Sequence, residues 1–505
     1  MERNSARNMK GNMKNIASVK AGIIAVSRDC FPIELSQKRR DRVVEECGRK
    51  RVPVTAVETI IENEGDVVRA LDEIKVKGIN ALVVYLGNFG PEGPLTMLAQ
   101  KFRGPVMVCA AAEESQNDLI DGRGDAFCGM LNASYNLGLR KVEAYIPEYP
   151  AGTASDIANM IGDFIPVARV ILGLKKLKVF AFGPRPQDFL ACNAPIKPLF
   201  DLGIEIMENS ELDLYDIFLK AEGDPAVEGT AKEMAHELGT GNTYPDMLPK
   251  LAQFEVALRK FYEENLGASE FGVFANKCWP AFEPYFGFVP CYVNSRLADK
   301  GIPVSCEVDV YGALSEYIAT AATELPATLL DINNTVPQDM VEAAGAVIRD
   351  YKPTDLFMGF HCGNTASSCL KTFSLRYQLI IHRLLEGDKE PDITRGTLEG
   401  QIRPGEVTIF RLQSTADAEL KAYVAEGEVL DIDPKSFGSI GVFAVREMGR
   451  FYRHVLVGKH FPHHTAVAFK HAGRTIFGVF QMLGIEDLSF NLPQSSFYAG
   501  ENPFA

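Results

Sequence analysis

The sequence lacks the short motifs that mark many cofactor-binding and metal-binding proteins. None of its ten cysteines forms a C-x-x-C pair, which excludes zinc ribbons and thioredoxin-like redox centres. It contains no P-loop and no G-x-G-x-x-G fingerprint behind a predicted strand, so a nucleotide-dependent dehydrogenase is disfavoured. The glycines at 122–124 do not follow a strand, and those at 87–90 have the wrong spacing.

The chain also lacks an excess of positive charge and a long apolar run. Its 505 residues carry a net charge of -14, which repels nucleic-acid phosphates and anionic membrane surfaces. No apolar run approaches the roughly 20 residues that span a bilayer, and residues 1–15 lack the apolar core of a signal peptide. We therefore expect a cytoplasmic protein with reduced thiols that binds neither nucleic acid nor membrane. A neutral small molecule, or one held by a bound cation, suits this charge.

What the sequence does contain is an alternation of apolar strands and amphipathic helices, which starts near residue 20 and restarts near residue 178. The strands are rich in Val, Ile and Ala without polar alternation, as in parallel sheets covered on both faces. After about residue 356, short strands and turn residues predominate, which indicates a β-rich domain. We predict the α/β class, with a flexible leader at 1–19, open α/β domains at 20–172 and 173–355, and a β-rich domain at 356–505.

Histidines are concentrated near the C-terminus. Five of the eight lie within 18 residues of one another, namely His454, His460, His463, His464 and His471. Neutral imidazole is the commonest metal ligand and an acid or base near neutral pH. A patch of hydrogen-bonded structural histidines would give the same pattern, so we expect one or two of the five to be functional.

Two carboxylates end predicted strands. Glu307 closes the apolar run 302–306, and Asp331 closes the run 327–330. A helical segment between the runs would place both carboxylates at the same edge of a parallel sheet, where ligands bind. Two carboxylate oxygens suit a hard divalent cation. A single acidic residue at a strand end more often caps a helix, but the pair together with the histidines favours a metal site.

Other polar side chains follow strands of the second and third predicted domains. Trp279, the only tryptophan, and Lys277 follow the run 271–275, and indole faces often line sugar sites, although a packed core tryptophan is commoner. His361 and Asn364 follow the run 356–360 and are expected at the same edge, with a purely structural role open for His361.

The order and spacing of Glu307, Asp331 and His464 resemble the Glu, Asp and His metal ligands of L-fucose isomerase. The segment 461–473, Phe-Pro-His-His-Thr-Ala-Val-Ala-Phe-Lys-His-Ala-Gly, is similar to its ligand region, in which an Asn-His stretch leads to Gly-His-x-Gly. His463-His464-Thr465 is also similar to the His-His-Thr of L-arabinose isomerase, where the second histidine binds the metal. The motif-level resemblance lies within residues 270–475.

The resemblance implies two Rossmann-like domains followed by a barrel-like domain, and a homo-oligomer of three or six subunits. It further implies an aldose–ketose isomerase in which Glu307, Asp331 and His464 hold a divalent metal, Mn²⁺ by preference. Glu307 and Asp331 would then move protons on an L-fucose-like or L-arabinose-like sugar. The expected substrate contacts are His361, Asn364, Trp279, Lys277 and His463, with Arg28 reaching a neighbouring subunit's site or standing as an ordinary surface arginine.

Three alternatives remain open on the sequence. The first is a relative with another carbohydrate substrate, such as a modified or sulfonated hexose. The second is a non-catalytic sugar-binding protein of the same fold, against which the presence of all three ligands argues. The third is a dehydrogenase, which the missing glycine fingerprint disfavours.

Overall fold

The computed structural model describes residues 15–503, without the side chains of Asp118 and Asp121. Its contacts divide the chain into an N-terminal unit, residues 17–172 and 477–484, and a large unit, residues 173–476 and 485–503 with 15–16. The predicted leader lies outside the described residues as far as residue 14. Asn15 is buried and donates hydrogen bonds to the carbonyls of Gly272 (2.8 Å) and Gly301 (2.9 Å). The predicted domain limits stay predictions.

The N-terminal unit is built on a five-stranded parallel sheet in the order β2-β1-β3-β4-β5. Its longer strands are buried along their whole length, as expected of a sheet covered on both faces. The strands are β1 (Ala21–Val26), β2 (Thr55–Ala56), β3 (Ala81–Leu86), β4 (Val106–Ala111) and β5 (Ala151–Gly152). The helices are α1 (Ile33–Lys50), α2 (Glu64–Lys77), α3 (Glu92–Lys101), α4 (Asp118–Asp121), α5 (Ala126–Leu139) and α6 (Ala154–Leu174).

Helix α6 is long and apolar enough to be a candidate membrane span, which the sequence analysis did not recognise. By length and composition its 21 residues, whose most apolar 18-residue window has a mean hydropathy of 1.6, suffice to cross a bilayer. However, 56% of its most apolar window is buried inside the protein. Ile157, Ile161 and Phe164 belong to the apolar core of the N-terminal unit. Burial in a protein core accounts for this composition without a membrane.

The large unit begins with a four-stranded parallel sheet in the order β7-β6-β8-β9. Its strands are β6 (Leu177–Phe182), β7 (Glu205–Asn209), β8 (Phe271–Asn276) and β9 (Val304–Cys306). The helices of this part are α7 (Lys197–Asp201), α8 (Glu211–Lys220), α9 (Pro225–Leu238), α10 (Leu248–Asn265), α11 (Phe282–Phe286), α12 (Cys291–Asp299) and α13 (Val310–Thr323).

The rest of the large unit is a nine-stranded, mostly antiparallel sheet in the order β12-β13-β16-β11-β10-β17-β14-β15-β18. A further pairing of β15 with β16 closes six of these strands into a barrel. The strands are β10 (Ala327–Asn334), β11 (Leu356–His361), β12 (Leu370–Tyr377), β13 (Arg395–Ile402), β14 (Gly405–Ser414), β15 (Leu420–Leu430), β16 (Ser439–Ala444), β17 (His464–Ala468) and β18 (Asp487–Phe490). The helices are α14 (Gln338–Ala344), α15 (Leu379–Leu385) and α16 (Met448–Phe451), while α17 (Gly473–Met482) begins in this unit and belongs to the N-terminal unit from residue 477. The predicted fold class, α/β followed by a β-rich barrel, is confirmed.

Strand β10 corrects one detail of the prediction. We expected Asp331 and Glu307 on strands of one parallel sheet, but β10 pairs antiparallel with β11 and β17 of the barrel, and β9 belongs to the other sheet. The strand–helix–strand pattern does not reveal which sheet the second strand joins. Phe274 of β8, Leu330 of β10 and Val467 of β17 share one apolar core, so both sheets of the large unit pack on the same interior.

Candidate active site

The register of β10 against β17 places Asp331 directly opposite His464. Residues opposite each other in an antiparallel pair have neighbouring side chains. The Asp331 Oδ1 atom lies 3.5 Å from Nε2 of His464. Two of the three predicted metal ligands are therefore cross-strand neighbours in the barrel wall.

The third ligand approaches from the parallel sheet. Glu307 follows the last residue of β9, and its Oε2 atom lies 3.6 Å from the same His464 Nε2. Glu307 and the next residue, Val308, both have a φ of 58°. The left-handed region is costly for residues other than glycine, and most of all for a β-branched one, and such strain is concentrated at functional sites. The carboxylates of Glu307 and Asp331 therefore both lie within 3.6 Å of Nε2 of His464, the third predicted ligand.

The other ring nitrogen of His464 is held by a carboxylate that the sequence analysis did not single out. Nδ1 lies 2.8 Å from Oδ2 of Asp309, which is buried. A carboxylate accepts, so Nδ1 carries the proton and the lone pair of Nε2 faces Glu307 and Asp331. A carboxylate behind a ligand histidine fixes the ring and its tautomer in many metal sites.

Asp309 is itself fully satisfied by groups of the large unit. Arg411 donates to both of its oxygens at 2.8 and 2.9 Å, and the Gly312 amide at the start of α13 donates at 2.8 Å. A Cβ on residue 312 would lie 2.8 Å from the Asp309 carboxylate carbon, so this close approach needs glycine. Burial alone would raise the pKa of Asp309, but Arg411 and His464 hold it well below its usual range.

The carboxylates around His464 favour a positive charge. Burial raises the pKa of Glu307 to about 7, with Asp331 and Asp309 adding to the rise and His464 opposing it. Burial also raises the pKa of Asp331. Burial would lower the pKa of His464, but Asp309, Asp331 and Glu307 raise it above its ordinary value. A proton or a metal cation at Nε2 would relieve the repulsion among these groups.

The donor atoms fit a divalent cation. Glu307 Oε2 and His464 Nε2 are buried and have no hydrogen-bond partner, which is costly unless another group binds them. Two ligands about 2.1 Å from one ion lie about 3 Å apart at right angles, close to the separations seen here. Two oxygens and one imidazole nitrogen suit Mn²⁺ or Mg²⁺.

Two compact groups of potential ligands occur within the described chain. One comprises Cys192, Glu307 and His464, the other Asp331, His463 and His464, and the atoms of each lie within 4.8 Å of one another. The predicted triad therefore spans both groups through His464. Burial raises the pKa of Cys192, so this residue is a neutral thiol, a poor ligand for a hard cation.

Aromatic side chains surround the cluster. The ring of Phe189 lies 5.3 Å from that of His463 and 6.2 Å from that of Trp279, and Trp279 Nε1 donates to Glu307 Oε1 at 3.5 Å. His361 is 6.1 Å from His464, ring to ring. Burial, together with His464, lowers the pKa of His361 and of His463 to about 3, so both are neutral. Trp279 and His463 thus lie beside the cluster, as does His361 at the end of barrel strand β11, and their role as substrate contacts stays a prediction.

Two predicted contacts are engaged elsewhere. Lys277 is buried; its Nζ donates to the carbonyl of Pro184 at 2.8 Å and lies 3.0 Å from Glu211. Arg28 belongs to the N-terminal unit, where its guanidinium lies 4.8 Å from the centre of the Phe89 ring and 3.8 Å from Glu92.

The remaining predicted residues are accounted for as follows. Asn364 is buried, and its Oδ1 has no partner. His454 stacks on Tyr498 at 5.6 Å, and His471 lies 3.0 Å from the Gly427 carbonyl. Of the five clustered histidines, only His463 and His464 belong to the candidate site.

The sequence analysis missed four members of the site: Asp309, Arg411, Phe189 and Cys192. Asp309 and Arg411 could have been recognised from the sequence. Asp309 lies two residues after Glu307, and Arg411 interrupts the buried apolar strand β14. A charged residue inside a buried strand requires a partner.

Two family models match the chain. A fucose/sulfoquinovose isomerase N-terminal domain matches residues 22–175, and an L-fucose isomerase C-terminal domain matches residues 359–489. Together they cover more than half of the sequence. The chain belongs to the L-fucose isomerase-like family. This membership confirms the resemblance inferred from Glu307, Asp331 and His464, and it makes the chain a member of a family of isomerases that act on carbohydrates.

Similar members of this family are sulfoquinovose isomerases. The protein from Priestia aryabhattai is 24% identical over 420 residues, which cover 82% of this chain and 86% of that protein. The protein from Clostridium sp. (strain MSTE9) is 27% identical over 364 residues, 70% of this chain and 74% of that protein. A solved periplasmic solute binding protein from Actinobacillus succinogenes 130z with bound D-allose covers 52% of this chain at 12% identity, but its TM-score of 0.15 supports no argument.

Replacing Arg411 with methionine should strongly destabilise this family member. Asp309 would keep a buried charge without its cation, and breaking such a pair costs about 3–5 kcal/mol. We expect the midpoint of urea unfolding, followed by circular dichroism with a chelator present, to fall sharply. Lys371→Met removes a cation from an exposed pair with Asp431 (2.6 Å) and should cost about 1 kcal/mol or less. Equal effects of the two substitutions would show that the Arg411–Asp309 pair is not a main support of the site.

Proposed function

We propose that the protein is a divalent-metal-dependent aldose–ketose isomerase that acts on an open-chain monosaccharide. The observation that carries the proposal is the convergence of Glu307, Asp331 and His464, with two buried ligand atoms that have no partner. Membership of a sugar isomerase family supports the same reaction class.

Glu307, Asp331 and His464 would hold the metal, for which Mn²⁺ is our first choice. When bound, a divalent cation polarises a carbonyl and acidifies the neighbouring hydroxyl. Asp309 and Arg411 keep the His464 ring oriented. Glu307 removes a proton from one sugar carbon, and Asp331 returns a proton at the adjacent carbon, by way of an enediol.

The neutral side chains around the cluster would bind the sugar. His361 and His463 can donate or accept hydrogen bonds without carrying a charge, and Trp279 offers an apolar ring beside Glu307. Phe189 packs edge-on against the rings of both His463 and Trp279 and helps to exclude water from the reacting carbons.

As the substrate we favour a sulfonated hexose. The sequence analysis expected an L-fucose-like or L-arabinose-like sugar, and the relatives described above do not support that choice, because their names specify sulfoquinovose. A sulfonate at the far end of a hexose leaves the first two carbons unchanged, so the same isomerisation mechanism applies. The runner-up is a non-catalytic sugar-binding protein of this fold.

The reaction is tested with metal-stripped protein and a panel of aldoses that includes a sulfonated hexose. We expect Mn²⁺ to restore interconversion of one sugar pair, measured by chromatography of the products. Glu307→Gln and Asp331→Asn should lower kcat by about 10²- to 10⁴-fold, the usual contribution of a general acid or base. The exposed residues of α14 provide matched controls, Glu342→Gln and Asp339→Asn, which should retain activity.

Metal binding is measured separately by titration calorimetry. Mn²⁺ should bind the wild type and not His464→Ala. Binding without turnover of any sugar would favour the non-catalytic alternative, and no binding at all would refute the metal-dependent mechanism.

Isotope transfer distinguishes an enediol from a hydride shift. In D₂O we expect about one deuterium per turnover at the carbon that receives the proton, because Asp331 exchanges its proton with solvent. Mass spectrometry of the product measures this incorporation. A product free of deuterium would contradict the enediol and favour direct hydride transfer.

We also propose that the chain assembles into trimers or hexamers, as the family resemblance implies. Helix α5 supports this proposal. Its residues at intervals of four, Phe127, Leu131, Tyr135 and Leu139, are between 58% and 68% exposed. An exposed apolar stripe of this kind is typical of an interaction surface.

The double substitution Leu131→Glu and Tyr135→Glu should dissociate the assembly. Burying two carboxylates in an apolar interface is unfavourable, so light scattering should report a lower mass than for the wild type. Val76→Glu places one carboxylate at an exposed valine of α2, outside the α5 stripe, and should leave the mass unchanged. Wild-type mass in the double variant would exclude α5 from the interface.

A further inference from the structure

The segment between β6 and α7, residues 183–196, contains an arginine without a partner. The Nε atom of Arg185 is buried and has no hydrogen-bond partner. Within the described residues, no carboxylate lies within 4.0 Å of its guanidinium. By contrast, the two buried arginines of the large unit, Arg296 and Arg411, each bind carboxylates directly. A partly buried guanidinium without an anion is costly, so a bound anion would stabilise Arg185.

Arg185 lines a cavity of about 420 Å³ in the large unit. The cavity lies at the carboxyl ends of β6 and β7, where it is bounded by Gly183, Asn209 and Ser210. In open parallel sheets, ligands bind at this edge. Its volume is within the range of about 300–1,000 Å³ typical of small-molecule sites.

The cavity adjoins the candidate site formed by Glu307, Asp331 and His464. Cys192 lines the cavity, and its Sγ lies 3.7 Å from Nδ1 of His464. Val308, which also lines it, directly follows Glu307. The cavity therefore comes within one residue of Glu307, and a ligand that fills it would lie next to the candidate site.

The backbone next to Arg185 is held by Lys277, a residue that the sequence had suggested as a sugar contact. Lys277 binds the carbonyl of Pro184, the neighbour of Arg185, and forms an ion pair with Glu211. Other polar groups of the cavity are already engaged. Asn209 donates to the carbonyls of its own sheet, and Tyr311 donates to Pro195. Glu208 is exposed at the cavity and lies beyond ion-pair distance of Arg185.

We propose that Arg185 binds an anionic substituent of the substrate, a sulfonate, at the end of the sugar remote from the carbons that react. The inference rests on the proposed function and specifies its substrate class. The guanidinium offers a planar pair of donors that matches two oxygens of such a group. The sulfonate contributes binding energy without taking part in proton transfer, so its contact with Arg185 selects sulfonated over uncharged sugars.

Binding and kinetics together test this role. The probe for binding is a 6-sulfonated hexitol, which cannot isomerise, compared by calorimetry with the uncharged hexitol and with its 6-phosphate. Arg185→Gln should weaken binding of the sulfonated hexitol by about 10- to 100-fold, the loss expected for a charge-assisted hydrogen bond. Arg185→Lys should retain part of the affinity. In turnover of a 6-sulfonated hexose, Arg185→Gln should raise KM far more than it lowers kcat.

Arg349→Gln is the matched control, because this arginine is exposed and lies 3.6 Å from Asp350 in a surface pair. It should leave the affinity for the sulfonated hexitol unchanged. Equal losses for sulfonated and uncharged hexitols in Arg185→Gln would overturn the proposal and give Arg185 a structural role. Tight binding of the 6-phosphate but not of the sulfonate would overturn the choice of sulfonate. If the sulfonated hexitol binds through Arg185 but the wild type isomerises no sugar, the proposed function fails and the anion site stands.

Discussion

The candidate site depends on one buried carboxylate, that of Asp309. Its two oxygens accept hydrogen bonds from the first turn of α13, from Arg411 in β14 and from His464 in β17. Asp309 itself follows β9 of the parallel sheet, and Arg411 and His464 lie on neighbouring strands of the barrel, so a single charge connects the parallel sheet to the barrel. A buried charge is tolerated only when it is completely paired. The requirement to pair Asp309 therefore fixes the position of the histidine that faces Glu307 and Asp331.

Glu307 and Asp331 were predictable because each stands at the end of an apolar run. Such local contrasts survive in the linear sequence. The cluster of histidines did not by itself single out His464, which the family resemblance indicated. The sheet to which β10 belongs was not predictable, since antiparallel pairing with β11 and β17 joins segments that are distant in the chain. The prediction therefore placed Asp331 beside Glu307 for the wrong geometric reason, although both residues do face His464.

Partners that act through another residue were harder to recognise. The pairing of Asp309 with Arg411 is visible only in the folded structure, because the two residues are 102 positions apart in the sequence. Lys277 was predicted to contact the substrate because it follows a strand, but its side chain donates a hydrogen bond to a backbone carbonyl instead. The dense group of histidines also separates in the fold. A helical turn precedes β17, so His454 points to Tyr498 while His464 lies in the barrel wall.

The single tryptophan of the chain has an optical consequence. Its indole nitrogen lies 3.5 Å from Glu307, and its ring lies 6.2 Å from that of Phe189, so the intrinsic indole emission of the protein originates beside the Glu307 carboxylate. Neutralising or displacing that carboxylate changes the electric field on the indole. In a protein of 505 residues, the wavelength of emission thus reports the charge state of the Glu307 carboxylate without any added label.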